Sequence, residues 1–163
     1  GALRLKRAWV DVDDLLGASL EVMKQELAGH PVTIEKEDVL PAVHVDFVLL
    51  MQVIANVLQN SVRYTPQGTH IRLAVGARLS GLSIEICDSG PGVSAAEMPH
   101  LFEKFYRGSR APSGGCGLGL AICKGIVEAH GGTIAASSAP DHGLCIRIFL
   151  PHSLSGSSQE TTS

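Results

Sequence analysis

The sequence predicts an α+β fold: a two-layer α/β sandwich with about three helices covering one face of a mixed, mostly antiparallel sheet of about five strands. Three observations carry this expectation. Short segments that alternate apolar and polar residues recur along the 163-residue chain, the pattern of half-buried strands. Amphipathic stretches at residues 46–64 and 118–130 are interspersed with these segments without strict alternation, which favours helices layered on a mostly antiparallel sheet. Hydrophobic content of 45% and charged content of 18% describe a chain able to bury a core without staples.

Each element has a local cause. "AWVDV" reads as a short strand, and Asp13 or Asp14 caps a helix running to about Ala28, where Gly29, His30 and Pro31 stop it. "PVTIEKE" and "AVHVD" follow as two short strands. Asp46 is the expected N-cap of a long helix ending near Tyr64, with Thr65, Pro66, Gln67 and Gly68 turning the chain. "HIRLAVGARL" and "GLSIEICD" form a hairpin through a Ser80–Gly81 turn. A short helix from Ser94 to Leu101, an irregular segment from Arg107 to Gly115 and a glycine-opened helix from Leu118 to His130 come next. "GTIAASS" and "GLCIRIFLP" supply a closing strand pair. The start "GALRLKRAWV" reads as a piece of something longer, and the Ser/Thr-rich stretch from Ser153 has the composition of a disordered tail.

Composition narrows the partners. A net charge of −3 leaves no footprint for nucleic acid or anionic lipid. The most hydrophobic segment, "FVLLMQVIANVLQNSV", is broken by Gln52, Asn56, Gln59 and Asn60, short of the ~18 apolar residues of a membrane span. Cys87, Cys116, Cys123 and Cys145 form no C-x-x-C pair and no zinc-like cluster, so the expectation is reduced thiols in a cytosol-like compartment, with neither disulfide nor metal knuckle.

Three places invite chemistry. Asn56, Asn60 and Arg63 stand at i, i+4 and i+7, within roughly 60° of one another on a helix surface. A solvated stripe would explain them, but two amides one turn apart are poor mid-helix formers, and an Asn carbonyl suits a hard cation such as Mg²⁺. "DSGPGV" ends a strand at Asp88. An Asx-type turn would account for it; alternatively Asp88 accepts an adenine amine while Gly90 and Gly92 let a flat ring lie against the backbone. Gly90, Gly92 and Ala95 also match G-x-G-x-x-A, but no later strand delivers the acidic residue of a dinucleotide site, and no G-K-[ST] marks a Walker A loop. Finally, Gly115, Gly117 and Gly119 alternate directly before the apolar helix "LAICKGIVEAH", which places open amides and the positive helix end where an anion can bind.

These pieces, in this order, resemble the ATP-binding catalytic domain of sensor histidine kinases, within the superfamily that includes gyrase, Hsp90 and MutL, over residues 9–151. "QVIANVLQNSVRYTP" looks like the N box, "DSGPGV" the G1 box, "LFEKFYRG" the F box and "GGCGLGLAI" the G2 box. Each is weak alone, and four in order are specific. The phrasing "GLGLAICKGIVEAHGG" is further similar to potassium-responsive members. The resemblance implies a Bergerat-type ATP-binding fold, with residues 1–8 a linker remnant and 152–163 a tail. It implies ATP and Mg²⁺ as ligands: Asn60 on the metal, Asn56, Arg63 and Arg107 toward the phosphates, Tyr64 lining the pocket and Asp88 on the adenine amine. Gly90 and Gly92 would shape the pocket, and Gly115, Gly117, Leu118 and Gly119 would cradle the phosphate chain. Two departures stand out: a short lid from Arg107 to Gly114, and Cys116 where Thr or Ser is common.

Hydrolysing cousins carry a Glu where this chain has Asn56, so the resemblance implies phosphoryl transfer rather than hydrolysis. None of the seven histidines sits in the family's acceptor pattern. The acceptor His is therefore expected on a dimerisation domain absent from this chain, and the chain is not expected to autophosphorylate alone. The expected setting is the cytoplasmic part of an inner-membrane, homodimeric bacterial sensor serving a response regulator. An anti-sigma-type serine kinase and a degenerate nucleotide-binding scaffold of the same superfamily are the alternatives.

Overall fold

In the computed structural model, residues 3–106, 119–139, 141 and 143–152 are described. Strands β1 (Ala8–Val10) and β3 (Val43–Val45) pair antiparallel in a ribbon of their own. The main sheet holds β2 (Val32–Lys36), β4 (Ile71–Arg78), β5 (Gly81–Asp88), β6 (Thr133–Ser138) and β7 (Leu144–Pro151) in the order β2-β4-β5-β7-β6. Only β2 and β4 run parallel, so this is the mixed, mostly antiparallel five-stranded sheet that the sequence predicts. Helices α1 (Val12–Val22), α2 (Phe47–Arg63) and α3 (Gly119–Ala129) complete the α+β fold.

Strand alternation divides the sheet into two unlike faces. Ile71, Leu73, Leu82, Ile84, Ile86, Ile146, Ile148 and Leu150 join one core with Leu50, Val53, Ile54, Val57 and Leu58 of α2 and with Ile126 and Val127 of α3. Each fully buried Leu or Ile contributes about 1.5–3 kcal/mol relative to exposure. On the other face a charge ladder crosses the strands. Glu85 accepts from Arg72 Nη2 at 2.7 Å and from Arg147 Nη2 at 2.6 Å, and Arg72 Nη1 reaches Glu35 at 3.1 Å. Burial alone would raise the Glu85 pKa, but the guanidiniums of Arg147 and Arg72 outweigh it and hold the carboxyl below its ordinary value.

Several local expectations need correction. Asp11, rather than Asp13 or Asp14, caps α1, accepting from Asp13 N–H at 2.8 Å. The helix stops at Val22, and the span to Ala28 is finished by a turn and a 3-10 segment, Glu26–Gly29, that buries Leu27. Arg78 pairs with Gly81, so the hairpin turn is Leu79–Ser80, one residue earlier than expected. The helix expected at Ser94–Leu101 is a series of turns with a 3-10 piece, Met98–His100, where Pro99 cannot donate to a helical ladder.

The cysteine expectation is also overturned: Cys87 and Cys145 form a disulfide between β5 and β7. They are register partners with Cα atoms 4.1 Å apart, the close spacing of a narrow antiparallel pair, so sheet pairing supplies the proximity that their separation of 58 residues hides.

Asp46 caps α2 as expected, its carboxylate accepting from Leu49 N–H at 3.1 Å and from Lys6 N–H at 2.9 Å. Its own N–H donates to His130 Nε2 at 3.0 Å, while His130 Nδ1–H donates to the Ile126 carbonyl at 2.8 Å. The imidazole is therefore the neutral Nδ1–H tautomer, and it ties the end of α3 to the start of α2. Burial lowers the His130 pKa below 6.5, assisted by Arg7 and opposed by the Ile126 carbonyl and Asp46. Between that lowered value and 6.5 the unfolded chain binds a proton that the folded one does not, so stability rises with pH through this window. Melting temperature is expected to be level above about pH 7 and to fall as the pH drops through 6.5. In His130→Phe this part of the slope should vanish; a wild-type profile flat down to pH 5 would count against the assignment.

Candidate nucleotide site

The site begins on α2, whose one face is buried through Leu50, Val53, Ile54, Val57, Leu58 and Ser61. The opposite stripe carries half-buried Asn56 and Asn60 with exposed Gln52, Gln59 and Arg63. Asn60 lies one turn from the helix end, where its carbonyl accepts from Tyr64 N–H at 3.1 Å. Thr65 then folds back, donating from Oγ1 to the Ser61 carbonyl at 2.6 Å and meeting His30 Nε2 at 3.0 Å. His30 is buried, and among the described residues its Nδ1 has no hydrogen-bond partner.

Beside this end lies the corner after β5. Asp88 is 5% exposed, and its Oδ1 accepts from Gly90 N–H at 2.9 Å and Leu144 N–H at 3.4 Å. The Asx turn weighed for "DSGPGV" is thus present, formed by a carboxylate that also reaches the start of β7. Ser89 N–H donates to the His70 carbonyl at 3.0 Å, and Ser89 Oγ donates to Asp141 at 2.7 Å. Gly92 has φ 70°, a conformation that glycine adopts without a steric penalty. At Gly90 a Cβ would stand 2.5 Å from Thr65 Cγ2 and 2.9 Å from Asp88 Oδ1, so only a bare backbone lets the corner and the end of α2 come together.

Helix α3 runs antiparallel to α2. His130 meets Asp46 at one end, and Cys123 Sγ lies 3.6 Å from the Val53 carbonyl and within hydrogen-bonding reach of the Asn56 side chain. One turn back, about 5.4 Å along the axis, the described part of α3 begins at Gly119. The positive end of the helix dipole lies at this N-terminal end, the end that attracts an anion. Burial pushes the Cys123 thiol up to about 12, with the Asn56 contact acting the other way, so this sulfur stays protonated near neutral pH.

The described residues therefore set Asp88 and Gly90 against Thr65, just past the end of α2 that carries Asn60 and Tyr64, while Asn56 faces Cys123 of α3, Gly92 lies on the adjoining loop and Arg63 is exposed at the end of α2. Arg107, Gly115, Gly117 and Leu118, along with the lid and Cys116, lie outside the described residues. Sequence reasoning missed Thr65 and Gly143. A Cβ on Gly143 would stand 1.7 Å from the Asp88 carbonyl oxygen, making this glycine the floor of the corner. The only sequence signal for it is a glycine preceding a strand. The donor set fits a nucleotide: a buried carboxylate, a corner kept free of Cβ atoms, neutral amide oxygens and a helix N-terminus.

Comparison with known proteins shows the family of the fold. Residues 45–154 match the family described as histidine kinase-, DNA gyrase B-, and HSP90-like ATPase. The chain is 35% identical over 154 residues to the sensor protein KdpD of Escherichia coli K12, covering 93% of this chain and 17% of that protein. It is 41% identical over 157 residues to the histidine-protein kinase BaeS of the same organism, covering 93% of this chain and 33% of BaeS. Among solved structures, the mycobacterial sensor histidine kinase MprB superposes with a TM-score of 0.80 at 30% identity, covering 88% of this chain and 97% of that one. The chain belongs to this ATPase family as a domain of the sensor histidine kinase type. Among the described residues, no helix is long and apolar enough to cross a membrane.

Proposed function

We propose that residues 9–151 are the Mg·ATP-binding catalytic domain of a two-component sensor kinase, with residues 1–8 leading in from a histidine-bearing dimerisation domain and 152–163 a tail. The observation that carries this reading is the close packing of the Gly90 corner on Thr65, which sets the Asp88 carboxylate beside the asparagine-bearing end of α2. Asp88 accepts the adenine amine, Gly90 and Gly92 shape the base pocket, and Tyr64 lines it. Asn60 contributes a carbonyl oxygen to Mg²⁺, which typically takes a few protein oxygens beside substrate phosphates. Asn56, Arg63 and Arg107 steady the phosphate charge, and Gly115, Gly117, Leu118 and Gly119 offer backbone amides to it. Bound Mg·ATP supplies the γ-phosphoryl group and the charge that neutralises its oxygens.

An amide at position 56 is no general base, so the chain's part is to hold, orient and stabilise charge while an external histidine attacks. The histidine belongs to the dimerisation domain of the same homodimeric protein, and the phosphoryl group passes on to a response regulator. The place proposed for such a domain is the cytoplasmic part of an inner-membrane sensor; KdpD, a sensor protein, and BaeS, a signal transduction histidine-protein kinase, support the sensor role. ThkA, solved in complex with the response regulator TrrA, supports the downstream partner.

Calorimetry with and without Mg²⁺ tests the reading. Wild type is expected to bind ATP more tightly with Mg²⁺ than in EDTA, and Asn60→Ala to bind in both conditions with the EDTA affinity. Equal wild-type affinities would remove Asn60 from the metal. Labelled phosphate should pass from ATP to a separately supplied His-bearing helical hairpin but not to the chain alone.

A further inference from the structure

The helix-free face of the sheet carries a second chemical feature directly beneath the Asp88 corner. Cys87 and Cys145 are bonded across β5 and β7, both 6% exposed, with Ala139 packed against them. The next residue along β5 is Asp88, and the residue before Cys145 is Leu144, whose N–H donates to Asp88 Oδ1 at 3.4 Å. Gly143 presses its backbone on the Asp88 carbonyl. The covalent link and the carboxylate of the proposed adenine pocket therefore hold the same two strand ends together.

We propose that Cys87 and Cys145 are a thiol–disulfide switch that sets how firmly the Asp88 corner holds its nucleotide; this rests on the nucleotide reading above. In a reducing compartment a disulfide in such a domain is a regulatory rather than a permanent link. A dithiol of the thioredoxin class opens it. One thiolate of the reductant attacks a sulfur of the pair, the S–S bond breaks and a mixed disulfide forms. The second thiol of the reductant then resolves it. Cys87 and Cys145 leave as thiols, having gained two electrons and two protons, and the reductant leaves as a disulfide. A low-molecular-weight disulfide such as oxidised glutathione reverses the exchange.

The surroundings can receive the reduced sulfur. Arg72 Nη2 lies 3.6 Å from Cys87 Sγ, a donor directed at this sulfur. Glu85 Oε1 lies 3.3 Å from the same sulfur, an acceptor that only the reduced thiol can use. A metal ion is less well served. The Glu85, Cys87 and Cys145 ligand atoms lie within 4.8 Å of one another, but an ion would have to displace both Arg72 and Arg147 from Glu85. Reduction exchanges a covalent bond for van der Waals contact between two thiols. The start of β7 can then draw away from the end of β5, taking the Leu144 N–H from Asp88.

The test compares ATP affinity of the intact chain after oxidised glutathione and after dithiothreitol, with peptide mapping to verify the Cys87–Cys145 link in each state. Reduction is expected to weaken ATP binding about fivefold or more, the lower range of coupling between linked sites. Cys145→Ser should bind with the reduced wild-type affinity under both treatments. Equal affinity in the two verified states overturns the switch and leaves the nucleotide reading standing. Failure to find the link after oxidant also overturns it. Absence of ATP binding in both states overturns the nucleotide reading and the switch with it.

Discussion

Asp88→Asn is expected to weaken ATP binding by about 1.5–3 kcal/mol, the scale of a hydrogen bond to a charged group, or roughly 10- to 150-fold in affinity. The substitution is nearly isosteric. An asparagine Oδ1 can still accept from Gly90 N–H and Leu144 N–H, so the Asx turn and the tie to β7 survive. What changes is the other half of the group, where an N–H donor replaces a carboxylate oxygen. An adenine amine then meets a donor instead of an acceptor, and the negative charge that strengthened the contact is gone. Guanine presents an acceptor oxygen where adenine presents its amine. GTP should therefore lose far less affinity than ATP, narrowing any preference between them. Calorimetry with both nucleotides reads this, and a melting curve close to wild type shows that the fold is kept. Unchanged ATP affinity would remove Asp88 from the base, whatever else lines the pocket.

Residues whose role is set by their own strand or helix were legible in the sequence, and those set by a distant partner were not. Asp46 was readable as a cap because the apolar rhythm of α2 begins directly after it, and the common side of Asn56 and Asn60 because a helix turns residues four apart to one face. At α1 the same logic pointed to Asp13 or Asp14, but Val12 is buried as the first helical residue and sets the cap at Asp11. Leu27 continued the helical rhythm past Val22 but reaches the core from a 3-10 turn instead. The Cys87–Cys145 link needed the pairing of β5 with β7, which no window of sequence contains. Gly143 is the same case in sharper form, since what demands a glycine there is the Asp88 carbonyl at the end of another strand. A glycine before a strand is commonplace, and nothing nearby distinguishes this one from Gly81.

Gly143→Ala is expected to be the most damaging small substitution near the site. Its Cβ would fall 1.7 Å from the Asp88 carbonyl oxygen and 2.6 Å from the carbonyl carbon. Both are backbone atoms, so no side chain can rotate aside. The start of β7 has to move off the end of β5, against the pairing of Cys87 with Cys145 and the bond from Ala139 N–H to the Gly143 carbonyl at 2.7 Å. Overpacking of this kind costs about 2–3 kcal/mol, which lowers Tm by about 5–10 °C in a domain of this size. ATP affinity should fall as well, because the displaced strand carries the Leu144 N–H that steadies Asp88. Gly125→Ala is the matched control: it lies within α3 with nothing within 4 Å of the added Cβ. Alanine is the better helix former by about 0.8–1 kcal/mol, so Tm should rise with ATP binding unaltered. The same glycine-to-alanine change thus acts with opposite sign at two positions, because only at Gly143 does another strand's backbone occupy the space. A Gly143→Ala protein that melted and bound ATP like wild type would mean that β7 does not lie against Asp88, and the corner would lose its floor.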